Sequence, residues 1–443
     1  MIYEEIVIGA GIAGLYWIYK TKPSNYLVLE KSNRIGGRIY NINWNGSQIS
    51  LGGGIIKSSN DYIINLANEF GLNLSDSISK YEMIDWVEDN EKKSNNQNEA
   101  NKLNKPNESN KPNEANFYTL NTNIIKYLKK IYQSNKNEID NNKINFEEFL
   151  DLYVELKISQ LIKLNFLYKT YFNADVYSVL YDEIDELLRT QDFHYKYITN
   201  GGYTLILDKL IEIVGKKNII TNTNVIEINK NNDVIEINKN NDVIEINKNN
   251  DVFEIITNSN IIYRTKKIIL ATESTNGIIW NLSNQTISNK ITELYKLVSG
   301  SNYIRIYSYH KDSHGLKYSY KTSGLAGKVI LINDKILMCS YTEEQDSIKL
   351  KKLLENKTKS TQLEIIYKLL NKSNIPITKP DDIIIKFWNS GVHYNNPGYN
   401  KDIKKSFISE LKKENIIVIG ECISDSHGWV NSALESVEFV LNL

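Results

Sequence analysis

The spacing of apolar positions divides the chain into segments that predict different elements. Continuous apolar runs at Tyr3 to Ile8, Tyr26 to Leu29 and Ile416 to Ile419, with a further one inside Lys267 to Thr272, suit parallel strands buried on both faces. Helical spacing sets in at Asp61 to Phe70, and Gly71 is placed to cap it. From about Thr122 to Arg189 helices dominate. There Ile124, Leu128, Ile131 and Tyr132 share one face, and Asn145 with Glu148 reads as a capping box opening the next helix. Gly201-Gly202-Tyr203 leads into a helix over Leu205 to Val214. A hairpin is predicted around Asn45-Gly46, and strands over Ser301 to Tyr309, Lys328 to Tyr341 and Ile383 to Trp388. Helices over Glu344 to Glu355 and Thr361 to Asn371 fall among those strands. Strands alternating with helices at both ends of the chain make this an α/β protein.

Two segments break the pattern. Residues 89–116 turn to Asn, Lys, Glu and Pro with a near-duplicate at Lys105-Pro106-Asn107-Glu108 and Lys111-Pro112-Asn113-Glu114, a composition too polar to offset the entropy of ordering. A disordered low-complexity insertion is expected there. Over residues 225–255 the unit Val-Ile-Glu-Ile-Asn-Lys-Asn-Asn-Asp recurs from Val225, Val234 and Val243, and partly at Val252. Its alternation predicts a β-meander in which two surplus copies add one hairpin without reversing the chain.

Composition narrows the function. The 443 residues are 41% hydrophobic, enough for two domains and a sizeable core. Lys plus Arg balance Asp plus Glu at 53 each, which argues against a nucleic-acid partner. No long apolar run offers a membrane span, and the first strand opens at once, so neither a transmembrane segment nor a signal peptide is expected. Two cysteines, Cys339 and Cys422, fit the cytoplasm or another reducing intracellular compartment. His194, His310 and His314 show no ligand-like spacing, so no metal is expected.

The first apolar run leads into Gly9-Ala10-Gly11-Ile12-Ala13-Gly14. Gly9 allows the tight turn, Gly11 lets backbone approach a pyrophosphate, and Gly14 lets the following helix pack close on the strand. The second run ends in Glu30, an acid about 20 residues on, where a carboxylate accepts from both hydroxyls of an adenosine ribose. Together these features are a Rossmann-like dinucleotide site.

The continuation Glu30-Lys31-Ser32-Asn33-Arg34-Ile35-Gly36-Gly37-Arg38 resembles the E-x-x-x-R-x-G-G-R signature of the flavin-containing amine oxidase superfamily, which includes monoamine, polyamine and L-amino-acid oxidases. The end of the chain is similar to the same family's C-terminal signature: Gly420-Glu421, then Ser426-His427-Gly428-Trp429-Val430, then Ala433 and Ser436. Resemblance implies FAD, bound by a two-domain oxidoreductase with a Rossmann-like FAD domain (1–57, 198–280 and 384–443) and a mixed α+β substrate domain (58–197 and 281–383). It implies that Gly9, Gly11, Ile12, Ala13 and Gly14 hold the pyrophosphate with Arg34 and Arg38, while Lys31, Gly36 and Gly37 shape the loop. Ser50-Leu51-Gly52-Gly53-Gly54-Ile55 resembles a flavin-side loop, with Ser50 where relatives have an acid and Ile55 where they have an aromatic residue. Val225 would face the adenine, Ala271 and Thr272 the dinucleotide, and Trp388 and Gly420 the flavin. Glu421 would accept from a ribityl hydroxyl. Gly428 opens a helix whose Trp429 and Val430 N–H groups, above Ala433, would stabilise the reduced ring.

For chemistry, the family implies hydride transfer from an amine-bearing carbon to flavin N5, with dioxygen reoxidising the flavin to give hydrogen peroxide. Trp429 and Tyr394 are expected to wall an aromatic cage for an amine. His393 stands where monoamine oxidases carry their flavin-linked cysteine. It is expected either to bond to the flavin or to serve as a wall residue and proton acceptor. Arg305 falls on the strand where relatives place a lysine beside N5. It substitutes for that lysine, binds a substrate carboxylate, or is an exposed strand residue. Dehydrogenation of a porphyrinogen-like substrate, and a non-catalytic FAD-binding role, are the alternatives. The sequence does not give the oligomeric state.

Overall fold

The computed structural model describes residues 1–76, 114–165, 168–183, 195–231, 234–240, 243–249, 252–274, 278–282, 284–317, 319–322 and 324–443. The 89–116 insertion therefore lies outside the described residues, except that 114–116 already belong to the helix Glu114–Asn142. His194 also lies outside them.

The strand Ile2–Ile8 forms the middle of an eight-stranded sheet. It runs parallel to Tyr26–Leu29 on one side, with Val7 opposite Val28, and to Ile262–Leu270 on the other, with Val7 opposite Ile269. Ile416–Val418 lies parallel beside Ile262–Leu270, and Ile219–Ile220 extends the sheet beyond Tyr26–Leu29. Ile6, Val7, Val28, Ile268, Ile269, Leu270 and Val418 are fully buried, which is why these strands read as unbroken apolar runs. The helices Ile12–Thr21, Thr204–Val214 and Val430–Leu441 are in contact, Ile12–Thr21 touching both of the others, and Leu15, Leu210 and Val437 are buried in the shared core.

A second sheet has the order Tyr320–Lys321, Lys328–Asn333, Ile336–Glu343, Val298–Tyr309, Asp382–Asn395. Its Ile304, Ile306, Leu337 and Cys339 pack on the helices Glu344–Leu354 and Lys359–Lys372 through Leu350, Leu354, Ile366 and Leu370. The last strand runs on to Asn395, well past the expected end at Trp388. A third, helical cluster gathers Leu128, Tyr132, Phe146, Phe149 and Leu150, and the predicted capping box holds its entry: Asn145 Oδ1 accepts from Glu148 N–H at 2.8 Å, and Glu148 Oε2 from Asn145 N–H at 2.9 Å.

The tandem repeat departs from a simple meander. Val225–Asn231 pairs directly with Val252–Thr257 inside the large sheet, while the inner copies, Val234–Asn240 and Val243–Asn249, pair with each other in a separate two-stranded sheet. Outermost copies find their sheet partner because the intervening pair returns the chain to where it left. Deleting residues 234–251 leaves Asn232-Asp233 to join Asn231 to its present partner Val252 as a two-residue turn. The shortened protein should unfold within about 1 kcal/mol of the full chain, measured in urea. A larger loss would show that the inner hairpin supports the sheet.

Candidate active site

The nucleotide end is built at the carboxyl edge of the large sheet, where open α/β sheets bind ligands. Gly14 lies so close to the strand that a Cβ there would sit 2.3 Å from Gly9 O and 2.9 Å from Val7 Cγ1. Gly11 is the opposite case. It opens the helix Ile12–Thr21 with no side-chain cap, and nothing lies within 4 Å of where its Cβ would be. No protein atom demands a glycine here, whereas a phosphate resting on bare backbone does. Ile12 and Ala13 follow in the first turn of the helix, both buried. Glu30, 7% exposed, accepts from Ala10 N–H at 2.9 Å through Oε2 and from Ser32 N–H at 2.9 Å through Oε1. Thr223 N–H donates to Glu30 O, which brings the start of the strand at Val225 alongside. Ala271 N–H donates to Ile8 O, placing Ala271 and Thr272 at the same edge.

Arg34 differs from expectation. Its guanidinium turns into its own loop, Nη1 donating to Ile39 O at 2.8 Å and to Ile35 O at 3.2 Å and Nη2 donating to Gly37 O, while its plane lies 4.4 Å over the Tyr40 ring. Saturated by carbonyls, it shapes the Gly36-Gly37 turn instead of facing a pyrophosphate. Lys31 stands at the rim, 3.6 Å from Glu273.

Arg38 is the arginine that faces the site. Its Nη1 lies 2.5 Å from Glu421 Oε2, 3.2 Å from His393 Nδ1 and 3.3 Å from Gly391 O. Of the Arg38 side chain 27% remains accessible, against 3% of Glu421, so its outer edge is open to an anion while the pair itself is dry. Glu421 begins the short turn Glu421–Ile423 and also accepts from Gly428 N–H at 2.6 Å and His393 N–H at 3.2 Å. Burial alone would raise its pKa, but Arg38 and then His393 outweigh that and hold it well below the usual carboxylate range. Arg38 shows the reverse balance: burial lowers it and Glu421 raises it further, so it stays charged. Glu421 was expected on a ribityl hydroxyl; both of its oxygens are instead taken by Arg38, His393 and Gly428. Its place is that of an anchor for Arg38 and for the loop before the last helix. His427, buried behind it with Nε2 3.1 Å from Asn395 Oδ1, is pulled down to about 4 by burial, only partly offset by Glu421.

The helix Val430–Leu441 starts at Trp429, and no side-chain hydrogen bond caps its first turn. Ala433 is buried beneath it, and Gly420 N–H is held by Ser436 Oγ at 2.8 Å. The Gly53 backbone passes so near that a Cβ would meet Val430 Cγ2 at 2.9 Å. Ser50, in the acid's place, ties Gly53 O and Asn41, and a Gly54 Cβ would lie 2.6 Å from its Oγ. Ile55 keeps 38% of its surface exposed. Trp388 Nε1 donates to Leu51 O at 2.8 Å, so this side chain fixes the loop.

Arg305, Tyr394 and His393 each have partners within the chain. Arg305 Nη1 donates to Ser50 O at 2.8 Å and also to Gly52 O, with its plane 5.0 Å over Tyr341 and 5.6 Å over Tyr303. It clamps the flavin-side loop to the second sheet and is not exposed. Tyr394 is partly buried and packs on the helical cluster. Strand alternation explains this, because neighbours His393 and Tyr394 point to opposite faces. Trp429 instead has Lys57 Nζ 4.3 Å over its ring, and Lys57 is only 5% exposed. His393 has both ring nitrogens engaged, which leaves neither free to bond to a flavin. Asn395 and Lys57 carried no signal in the sequence, and Ser390 and His427 stood only at unspecified positions of family-like stretches, since each joins the site through tertiary pairing.

Beside the site, Asp425 pairs with Lys401 at 2.6 Å and with Lys404. Burial raises its pKa, but Lys404 and Lys401 outweigh it and bring it to about 2. A depressed carboxylate contributes stability above its unfolded pKa of about 3.9, and that contribution is lost as pH falls from about 4 to 2. Asp425→Asn should therefore lower Tm at pH 7 and leave it unchanged at pH 2. An equal deficit at both would show that the pair contributes nothing through charge. Among the described residues no group of three or more His, Cys, Asp or Glu side chains is placed to hold a metal ion, and no helix is long and apolar enough to cross a membrane.

A bare glycine turn, a buried acid at the end of the second strand and an arginine with an open edge form a cradle whose donor set fits FAD, the cofactor of a class of oxidoreductases. Residues 20–249, more than half the chain, match the flavin containing amine oxidoreductases, and the chain belongs to that family. FAD is its cofactor. Two solved structures share the fold over essentially their whole length. A putrescine oxidase double mutant from a redesign of cofactor binding is 13% identical, with all of both chains covered and a TM-score of 0.71. The cyclohexylamine oxidase of Brevibacterium oxydans is 14% identical, with 100% of this chain and 99% of that one covered and a TM-score of 0.68. Pseudooxynicotine dehydrogenase from a Pseudomonas species is 30% identical over 95 residues, 20% of this chain and 19% of that enzyme. The chain thus aligns with about a fifth of the length of that relative.

Proposed function

We propose that the protein is an FAD-dependent amine oxidase. Bound FAD would take hydride at N5 from the carbon beside an amine nitrogen, and dioxygen would restore it with release of hydrogen peroxide while the imine hydrolyses. The chain supplies binding, orientation and charge. The Gly9 to Gly14 turn offers backbone N–H groups to the pyrophosphate, Glu30 the ribose acceptor, and Arg38 its open edge to a phosphate. The first turn of the last helix, which carries no side-chain cap, would offer the Val430 N–H to the negative charge that reduction creates, and Trp429 would wall the substrate side. Residues 1–57, 198–280 and 384–443 would form the FAD domain, and 58–197 with 281–383 the substrate domain.

The observation that carries this reading is the Arg38–Glu421 pair, 2.5 Å apart, set directly beside the uncapped helix end. Anaerobic addition of putrescine or cyclohexylamine to the yellow protein tests it. Bleaching of the flavin absorbance is expected, followed by peroxide on admitting air. One observation favours a second reading, oxidation of a non-amine substrate. Lys57 already places one ammonium over the Trp429 ring, the kind of contact a substrate ammonium would make. Failure of every amine to bleach a flavin that dithionite reduces would favour it.

A further inference from the structure

Ser390 is an unspecified position in the stretch Trp388 to Tyr394, yet the fold makes room for it. Between Val298–Tyr309 and Asp382–Asn395 the register passes from Ser301 opposite Val392 to Tyr303 opposite Trp388. Asn389, Ser390 and Gly391 therefore bulge against Asn302 alone, and bulges of this kind re-aim side chains. Two glycines permit it. A Cβ on Gly300 would lie 2.0 Å from Ser390 Oγ, and one on Gly391 would lie 1.8 Å from an atom of the Tyr303 ring. The bulge brings Ser390 Oγ within 3.1 Å of His393 Nε2, and His393 Nδ1 lies 2.6 Å from Glu421 Oε2. An ionised carboxylate only accepts, so Nδ1 carries the ring proton and Nε2 of the neutral ring accepts from the Ser390 hydroxyl. His393 is 3% exposed, whereas Ser390 is only half-buried, so the hydroxyl is the outer end of the chain of hydrogen bonds.

We propose that Ser390, His393 and Glu421 form a proton relay serving amine oxidation, a role that rests on the amine-oxidase reading above. An alkylammonium has no lone pair to support hydride loss from its neighbouring carbon, so one proton must leave nitrogen first. The substrate N–H proton passes to the Ser390 oxygen as the Ser390 proton passes to His393 Nε2. The substrate is left as the neutral amine, the ring as imidazolium and the hydroxyl unchanged, and no electrons move between partners. Glu421 stabilises the imidazolium, as the acid of a Ser-His-acid triad does. Arg38 Nη1 also lies beside the ring, 3.2 Å from Nδ1. Neutral His427 behind Glu421 and the Tyr303 ring on the adjacent strand complete the surroundings of the relay.

Two measurements on the FAD-loaded protein test the relay. Nitrogen NMR of histidine-labelled protein should show His393 protonated at Nδ1, with its Nε2 resonance displaced in Ser390→Ala; this needs no substrate. Anaerobic stopped-flow bleaching by putrescine or cyclohexylamine should slow about 100-fold in Ser390→Ala and in His393→Gln. The acid limb of the rate profile should flatten in both, with FAD absorbance, Tm and amine Kd held in Ser390→Ala. The double variant should be no slower than the slower single one, because members of one relay are not additive. An unmoved Nε2 resonance, a wild-type pH profile in Ser390→Ala, or additive losses in the double variant overturn the relay. A wild-type flavin that no amine bleaches overturns the amine reading and the role assigned to the relay, while the NMR result separately decides whether the hydrogen-bonded chain exists.

Discussion

Arg38→Met should cost the protein both its FAD and about 3–5 kcal/mol of stability at pH 8, the usual penalty for leaving one member of a buried ion pair alone. Glu421 keeps 3% of its side-chain surface, and Arg38 is the chief influence holding its pKa down against burial. Without Arg38 the burial effect prevails, and Glu421 can relieve itself by taking a proton. The deficit should therefore shrink as pH falls toward 5, where protonation becomes cheaper. Glu421→Gln in the same chain removes the orphaned charge and should recover part of the loss without restoring FAD. Urea unfolding of the apoprotein at pH 8 and pH 5 measures the first effect, and flavin retained through gel filtration the second. An unfolding midpoint at pH 8 equal to that of the parent would show that the pair is solvent-screened and that its 2.5 Å contact does not govern the site.

The same pair shows what could be read from the sequence. Gly36-Gly37-Arg38 and Gly420-Glu421 were legible as loop signatures, because each lies directly after a strand whose apolar run is unmistakable. Which of Arg34 and Arg38 faces the ligand was not, since both follow the same strand and only the turn at Gly36 (φ +113) decides that Arg34 folds back on Ile39 O. That Tyr394 and His393 point to opposite faces can be read from strand alternation alone. The direction of Ser390 cannot, because it comes from a bulge set by register with a distant strand. The repeat units are likewise identical in sequence but not in pairing, and only position in the array selects the sheet partner.

Gly11→Ala and Gly14→Ala should separate a glycine required by a ligand from one required by packing. Gly14→Ala puts a carbon 2.3 Å from Gly9 O and 2.9 Å from Val7 Cγ1, both fixed by the central strand, so the helix Ile12–Thr21 has to lift off the sheet. Overpacking of this kind costs about 1–3 kcal/mol, and the apoprotein should show it in urea. The phosphate turn moves with the helix, and loss of two charge-assisted hydrogen bonds at about 1.5–3 kcal/mol each weakens FAD by about 100-fold or more. Gly11→Ala meets nothing within 4 Å and keeps an ordinary backbone, φ −75° and ψ 177°. Its apoprotein should stay within about 1 kcal/mol of the parent, while the new methyl projects into space left for the pyrophosphate and lowers FAD affinity by a comparable factor. Equal flavin affinity in Gly11→Ala and the parent would mean that this open backbone is not where the phosphates lie.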